Sequence, residues 1–500
     1  MVEPSRTGSS VRFFCTAGNG METFLTEEVK KKLLAEDVCQ LHGKVLFSSS
    51  AAIHRITGLK AAERLFLLLK KDSPLRMPTR CSRAEAAFLL QSRLLGNRDQ
   101  WISAAVTWSC LQRELSATRD LGGTRWSQER GESEDFAGSR KHRSELREPE
   151  SEEQHEEKPS EKKRMRVEDG DAEMKRESNS FSSKILHTGD DGTSESVENV
   201  TFRISCKCSG SVSRSFSSQE VSKMMGPAVS KLMGWKADLK NPLLEVSLHL
   251  SDDYCLLGIP LTRLPLANRS YIKTTGLRST VAWAMASLAH IQPGFCVVDP
   301  MCGVGTILIE AAQEHQDACF LGVDIDDGQL QRANENVAFA DLGQRIQLLK
   351  ASTVALPLPS GSVDAVICDL PFGKKFGRGT NMAADLPLIL CEMERILCPG
   401  GILVVLLSPQ LSCLLKKLLT QEPQEPAEPA LDQKAKPQTV AAVCLSSSSL
   451  SDQQLCRQDR RPAADLQQRP CPRWSSLKHQ VTFRVSLGAI DGLIHKYIKI

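Results

Sequence analysis

The chain has 500 residues, 41% hydrophobic and 25% charged, with a formal net charge of +3. That apolar share supports two to four folded cores, and so mild a charge neither establishes nor excludes a nucleic-acid partner, since it can hide a local basic patch. No apolar run approaches the roughly 20 residues of a membrane span, Met1 to Arg6 lack the apolar run of a secretory leader, and the 17 cysteines are scattered without paired Cys-x-x-Cys motifs. An intracellular protein with no membrane segment and no metal site is expected.

The first block, 11–71, reads as a small α/β unit. A strand from Val11 to Ala17 and a turn with Gly18 and Gly20 lead into an amphipathic helix over Glu22–Leu34, and a strand over Lys44–Ser48 is followed by a helix over Lys60–Leu69. A second domain spans 72–261, interrupted at 112–200 by a stretch rich in Glu, Lys, Arg, Ser and Gly that cannot bury enough surface to order itself. Within that domain, Thr201–Cys206, Leu244–Leu250 and Tyr254–Ile259 read as strands and Ser218–Leu232 as a helix. Trp101 and Trp108, seven apart on one helix, have core spacing. Cys206-Lys207-Cys208, its side chains on opposite sides of a turn or on one face of a strand, is a poor metal-site candidate, and Lys162-Lys163-Arg164-Met165-Arg166 is either a nuclear-import address or part of a mixed-charge linker.

A pre-sheet helix over Leu277–Leu288 leads into regular alternation. Strands are expected at Phe295–Asp299, Phe320–Asp324, Ile346–Lys350, Val363–Asp369 and Ile402–Ser408, with helices at Thr306–Glu314, Gly328–Phe339 and Leu386–Leu397. This pattern indicates a doubly wound parallel sheet. A Pro, Gln, Ser and Glu-rich insert at 421–473 interrupts the domain, after which Val481–Gly488 and Leu493–Ile500 form a hairpin that adds an antiparallel strand. Such a strand distinguishes methyltransferase sheets from dehydrogenase ones.

The chemistry gathers in two motifs. Asp299-Pro300-Met301-Cys302-Gly303-Val304-Gly305-Thr306 follows a strand and opens a helix, the setting in which glycines let the backbone approach a nucleotide. Leu308 at the third glycine position disfavours a pyrophosphate turn, so a smaller ligand without phosphates, S-adenosylmethionine, fits better. Asp324 follows at the distance at which an acid accepts ribose hydroxyls. In the second motif, Asp369-Leu370-Pro371-Phe372-Gly373, the Asp369 carboxylate and Leu370 carbonyl suit the two N–H bonds of an exocyclic amine, and Phe372 suits stacking of its base. Asp299, Asp324 and Asp369 each end a strand and should line one crevice. Lys374 and Lys375 are either RNA-phosphate contacts or solvated loop lysines, and Arg269, Tyr271 and Lys273 either close over a substrate or pack beside the pre-sheet helix.

These motifs, with Arg269-Ser270-Tyr271 and Gly276-Leu277-Arg278-Ser279-Thr280, resemble the THUMP-domain guanosine-N2 RNA methyltransferases. The resemblance spans all three folded blocks and spares only the inserts. It implies a ferredoxin-like domain over 11–71, a THUMP domain over 72–261 and a Rossmann-like class I methyltransferase domain over 262–500, the whole of α/β class. It implies S-adenosylmethionine held by Asp299, Pro300, Cys302, Gly303, Gly305, Thr306, Asp324, Ile325 and Ser352. At Ala351-Ser352-Thr353 many relatives instead carry an acid near the adenine. A structured RNA, U6 small nuclear RNA in one branch and tRNA in its sisters, is the implied substrate, and a small zinc-binding activator subunit the implied partner. The implied compartment is the nucleoplasm, with the cytoplasm second. A dehydrogenase fits least, and a catalytically silent RNA-binding scaffold is opposed by the intact acids and glycines.

Overall fold

The computed structural model describes residues 10–75, 82–127, 200–371, 382–420 and 476–500. Residues up to Ser287 form one compact unit and most of the remainder a second.

The first unit is built on a single mixed sheet. Its strands are β1 (Val11–Thr16), β2 (Glu36–Leu41), β3 (Lys44–Ser49), β4 (Arg64–Asp72), β5 (Thr201–Cys208), β6 (Lys236–Ala237), β7 (Leu244–Leu250) and β8 (Cys255–Pro260), in the order β2-β3-β1-β4-β8-β7-β5-β6. The helix expected over Lys60–Leu69 is instead β4. Its Leu-Phe-Leu run pairs antiparallel with β1 on one side and β8 on the other, and Leu65, Phe66 and Leu67 are all buried. Two-sided ladder formation outweighs the helical preference of leucine and lysine. Because β4 bridges β1 and β8, the blocks 11–71 and 72–261 share one sheet.

Helices α1 (Glu22–Leu33), α2 (Ile53–Thr57), α3 (Arg83–Leu94), α4 (Arg98–Ser127), α5 (Val212–Ser215), α6 (Ser218–Met233) and α7 (Ser279–Leu288) complete this unit. Ser82 with Glu85 and Ser217 with Glu220 form capping boxes that start α3 and α6, satisfying N–H groups left without helical partners. Helix α4 runs to Ser127, so residues 112–127 of the expected low-complexity insert are helical. Gln112 is buried and donates to the Leu261 carbonyl at 2.9 Å, which anchors that turn to the fold. Trp101 is buried and Trp108 donates its indole N–H to the Pro260 carbonyl at 2.9 Å, both serving the core.

The second unit has the doubly wound pattern. Strands β9 (Cys296–Asp299), β10 (Cys319–Asp324), β11 (Ile346–Lys350), β12 (Val363–Asp369), β13 (Leu397–Leu407), β14 (Leu477–Ser486) and β15 (Asp491–Lys499) lie in the order β11-β10-β9-β12-β13-β15-β14. The first five pair in parallel and β15 runs antiparallel to β13. Helices α8 (Thr306–Glu314), α9 (Asp327–Phe339), α10 (Met382–Ile396) and α11 (Pro409–Thr420) carry the crossovers and flank the sheet. Leu386, Ile389, Leu390, Met393 and Ile396 of α10 pack with Val366, Leu403, Val405 and Leu407 in the main core, which is why these strands read as unbroken apolar runs. Strand order reverses between β9 and β12, and ligands of such sheets bind at the carboxyl ends of the strands beside that reversal. No described helix is long and apolar enough to cross a membrane.

Candidate active site

β9 ends in Asp299 and β12 in Asp369, one on each side of the reversal, with Asp324 ending β10 next door. After β9 the chain turns sharply. Gly303 (φ +53°) and Gly305 (φ +81°) adopt left-handed backbone that side chains rarely tolerate, and Gly305 caps α8. The turn is pinned to β10 from two directions: Cys302 donates its N–H to the Val323 carbonyl at 2.9 Å, and Gly303 donates to Asp324 Oδ2 at 2.9 Å. The other Asp324 oxygen accepts from Asp326 N–H at 2.9 Å. A Cβ built on Gly303 would meet nothing within 4 Å, so the space over the turn is open, as a cofactor lying on the backbone needs. Thr306 is buried at the first turn of α8, Cys302 is buried beneath the glycines, and Ile325 stands exposed just past Asp324.

The acids differ in environment. Asp299 is 1% exposed and accepts Met301 N–H at 3.1 Å. Burial pushes its carboxyl well above the usual range, the Met301 bond opposes this, and the nearby Asp369 and Asp324 charges add to the rise. Asp369 is pushed up to about 7 by burial. A carboxyl poised near neutrality at a strand end in a ligand crevice is suited to exchanging a proton with a substrate. Leu370 is fully buried, its N–H held by the Leu406 carbonyl at 3.1 Å. Phe372, Gly373, Lys374 and Lys375 lie outside the described residues.

Three supporting residues escaped the sequence reading. Thr353, next to Ser352, is buried and donates its hydroxyl to the Pro300 carbonyl at 2.8 Å, fixing the segment after β11 against the first motif. Asn336 of α9, wholly buried, donates Nδ2 to the Val304 carbonyl at 2.9 Å and so holds the middle of the glycine turn. A Cβ on Gly322 of β10 would sit 2.9 Å from Cys302 Sγ and from Leu348 Cδ2, so this glycine lets the turn lie close on the sheet. Gly322 had a signal, since an isolated glycine inside a strand marks a close approach.

Arg269, Tyr271 and Lys273 belong to the first unit. Arg269 donates to the carbonyls of Leu266 and Lys60 at 2.5 and 2.7 Å, and the Tyr271 hydroxyl accepts from Lys60 Nζ at 2.7 Å while the ammonium lies 4.5 Å from its ring centroid. Both side chains therefore tie their segment to Lys60, and Lys273 is exposed.

Residues 267–425 match the RMKL-like methyltransferase domain family, and residues 174–259 match the THUMP domain. Over 516 aligned positions the chain is 40% identical to U6 snRNA (guanine-N(2))-methyltransferase THUMPD2 of Bos taurus, covering 99% of this chain and 97% of the relative. The chain belongs to the THUMP-domain RNA guanine-N2 methyltransferases. Another relative of this methyltransferase, tRNA (guanine(6)-N(2))-methyltransferase THUMP3 of Bos taurus, is 35% identical over 44% of this chain and 46% of its own length. Among solved structures, TrmN from Thermus thermophilus matches the methyltransferase with a TM-score of 0.56 at 18% identity, over 98% of this chain and 100% of that one, and so shares its fold.

Proposed function

We propose that this chain methylates N2 of a guanosine in U6 small nuclear RNA, with S-adenosylmethionine as the methyl donor. The observation that carries the reading is Asp369, half-buried at the end of β12 beside the reversal, with its carboxyl raised to about 7 by desolvation, next to the strand that leads into the Gly303–Gly305 turn. When bound, S-adenosylmethionine would supply an electrophilic methyl on its sulfonium, with the thioether as leaving group, and Asp299, Asp324, the backbone of Pro300 to Thr306, Ile325 and Ser352 would hold it. Asp369 and the Leu370 carbonyl accept the two N–H bonds of the guanine amine, drawing its lone pair out of the ring, and Phe372 stacks the base. Asp369 then takes the proton that N2 releases.

Full-length similarity to proteins named for U6 methylation, against less than half-length similarity to a tRNA enzyme, supports U6 over tRNA. The division into a ferredoxin-like domain (11–71), a THUMP domain (72–261) and a methyltransferase domain (262–500) is part of the proposal, with Arg269, Tyr271, Lys273, Lys374 and Lys375 toward RNA. A small zinc-binding activator subunit completes the enzyme. The edge position of β11, whose outer ladder groups have no neighbouring strand among the described residues, supports such docking. The expected compartment is the nucleus.

Incubation of the purified chain with labelled S-adenosylmethionine, the activator and U6 RNA should place label in N2-methylguanosine. Label in tRNA alone would move the substrate, and no label in any RNA would overturn the reading.

A further inference from the structure

The first unit contains a cavity of ≈ 570 Å³ on the face of its sheet. Cations and aromatic rings line it, and the positive charge inside it is unbalanced. Lys44 of β3 is 6% exposed, donates Nζ to the Tyr254 hydroxyl at 2.9 Å and lies 5.0 Å from that ring's centroid. Among the described residues no carboxylate pairs with it, and the hydroxyl satisfies one of its three N–H bonds. His249 of β7 is 8% exposed, and its buried Nδ1 has no hydrogen-bond partner. Lys207 of β5, exposed, adds a second ammonium close enough to disfavour protonation of both. The lining carboxylate Glu63 is already engaged by Arg278 at 3.1 Å.

Phe66, His249 and Tyr254 give the lining its aromatic part. Phe14, beneath the lining, stacks on Phe66 at 4.6 Å with 5° between their planes, and His249 stands edge-on to both, at 5.6 and 5.4 Å, so the rings hold one another in place. Gly258 of β8 permits this arrangement, because a Cβ there would lie 2.4 Å from the Phe14 ring. Leaving a buried imidazole nitrogen without a partner and a buried ammonium with one acceptor for three N–H bonds is costly unless a ligand supplies the rest. Phosphate oxygens would satisfy Lys44 and Lys207. The volume far exceeds a phosphate, however, and the aromatic floor suits a base or ribose, with His249 Nδ1 placed for a polar edge.

We propose that this cavity, formed by Lys44, Lys207, His249, Tyr254 and Phe66, binds one nucleotide unit of the substrate RNA, extruded from its helix, with the phosphate on the lysines and the base toward the aromatic floor. This rests on the RNA-modifying role proposed above. Unstacked nucleotides are the parts of an RNA that proteins read most readily, by stacking and edge hydrogen bonds.

The test uses the full chain with three variants, Lys44→Met, Lys207→Ala and His249→Phe. Binding of uridine and adenosine 5′-monophosphates and of inorganic phosphate is titrated calorimetrically, and U6 RNA affinity is measured by filter binding. The expected result is measurable mononucleotide binding, lost in the variants, together with RNA affinity weakened about tenfold, a raised KM for RNA, an unchanged kcat and unchanged cofactor affinity. Lys207 is exposed, so Lys207→Ala keeps the test decisive even where Lys44→Met unfolds. Wild-type RNA affinity in folded variants would overturn the proposal, and so would binding confined to inorganic phosphate or to free mononucleotides. Absence of methyl transfer by the wild-type chain would strike the catalytic reading alone, because the binding titrations do not depend on turnover.

Discussion

Gly303 donates its N–H to Asp324 Oδ2 at 2.9 Å, so the acid expected to hold the ribose also fixes the turn expected to hold the methionine end of the cofactor. One carboxylate oxygen braces the turn and the other caps Asp326, so truncation at this position acts twice. Asp324→Ala should weaken S-adenosylmethionine binding by about tenfold or more, since hydrogen bonds to a charged acceptor contribute about 1.5–3 kcal/mol. Asp324→Asn, which keeps one acceptor, should fall between. Calorimetric titration checks this, and equal cofactor affinity in Asp324→Ala would refute the assignment.

Asp369 should separate chemistry from cofactor binding. Asp369→Asn keeps the shape but cannot take a proton, and kcat should fall about 100-fold or more, the scale seen when one transition-state partner is removed, with cofactor affinity retained. In the wild type, kcat/KM should climb with pH through about 7, where the buried carboxyl loses its proton, and level off above it. The same shift bears on stability. The folded carboxyl holds its proton from about 4 to 7 while the unfolded one does not, so this group's contribution to stability is present below the unfolded value and is lost as pH rises through 7. Asp369→Asn should therefore unfold later than wild type at pH 8, by up to about 4 kcal/mol. A wild-type methylation rate in the variant would remove Asp369 from the reaction.

The second unit was largely legible in the sequence because its signals are local. Its central strands, β9 and β12, are mostly buried and read as apolar runs, and three strands end in aspartate, so the elements Thr306–Glu314, Ile346–Lys350 and Val363–Asp369 emerge with the expected bounds. The first unit was read less well. β4 carries leucines and lysines that suit a helix, and its pairing with β1 on one side and with β8, nearly 200 residues away in sequence, on the other makes it a strand. β2 was passed over because Glu36–Leu41 is a short edge strand that opens on two acids and lacks a clean apolar alternation. Within the site, the motif residues could be named from spacing, whereas Asn336 and Thr353 could not. Each acts on a backbone carbonyl of the first motif from more than thirty residues away, and nothing in their own neighbourhoods marks them.

Gly322 offers a test of how tightly the motif must lie on the sheet. An added methyl would crowd Cys302 Sγ, Leu348 Cδ2 and Leu308 Cδ1 at 2.9 to 3.0 Å. Gly322→Ala should cost about 1–3 kcal/mol, the usual range for overpacking, and Gly322→Val more. By lifting Cys302 it should also loosen cofactor binding although Gly322 touches no cofactor. Thermal melts with and without S-adenosylmethionine would show a smaller ligand-induced rise in Tm for the variant, and an unchanged rise would mean that the turn moves independently of β10.

The second unit also contains a buried polar chain that should set its acid limit. His495 of β15 is fully buried, with Nε2 2.8 Å from Ser412 Oγ and Nδ1 2.9 Å from Thr482 Oγ1, and Thr482 is shared with His479 at 2.8 Å. Burial first, then His479 and Lys416, push the His495 imidazole down to about 4. In the unfolded chain it would protonate near 6.5. Its stabilising contribution is therefore complete above about 6.5 and is lost as pH falls toward 4, because the unfolded state takes up the proton first. His495→Gln should cost about 1–3 kcal/mol at pH 7 by breaking the two hydroxyl contacts, and its stability should depend less on pH between 6.5 and 4. Urea midpoints at pH 7.5 and 4.5 measure both effects. Parallel losses in variant and wild type over that interval would assign the acid sensitivity to other groups.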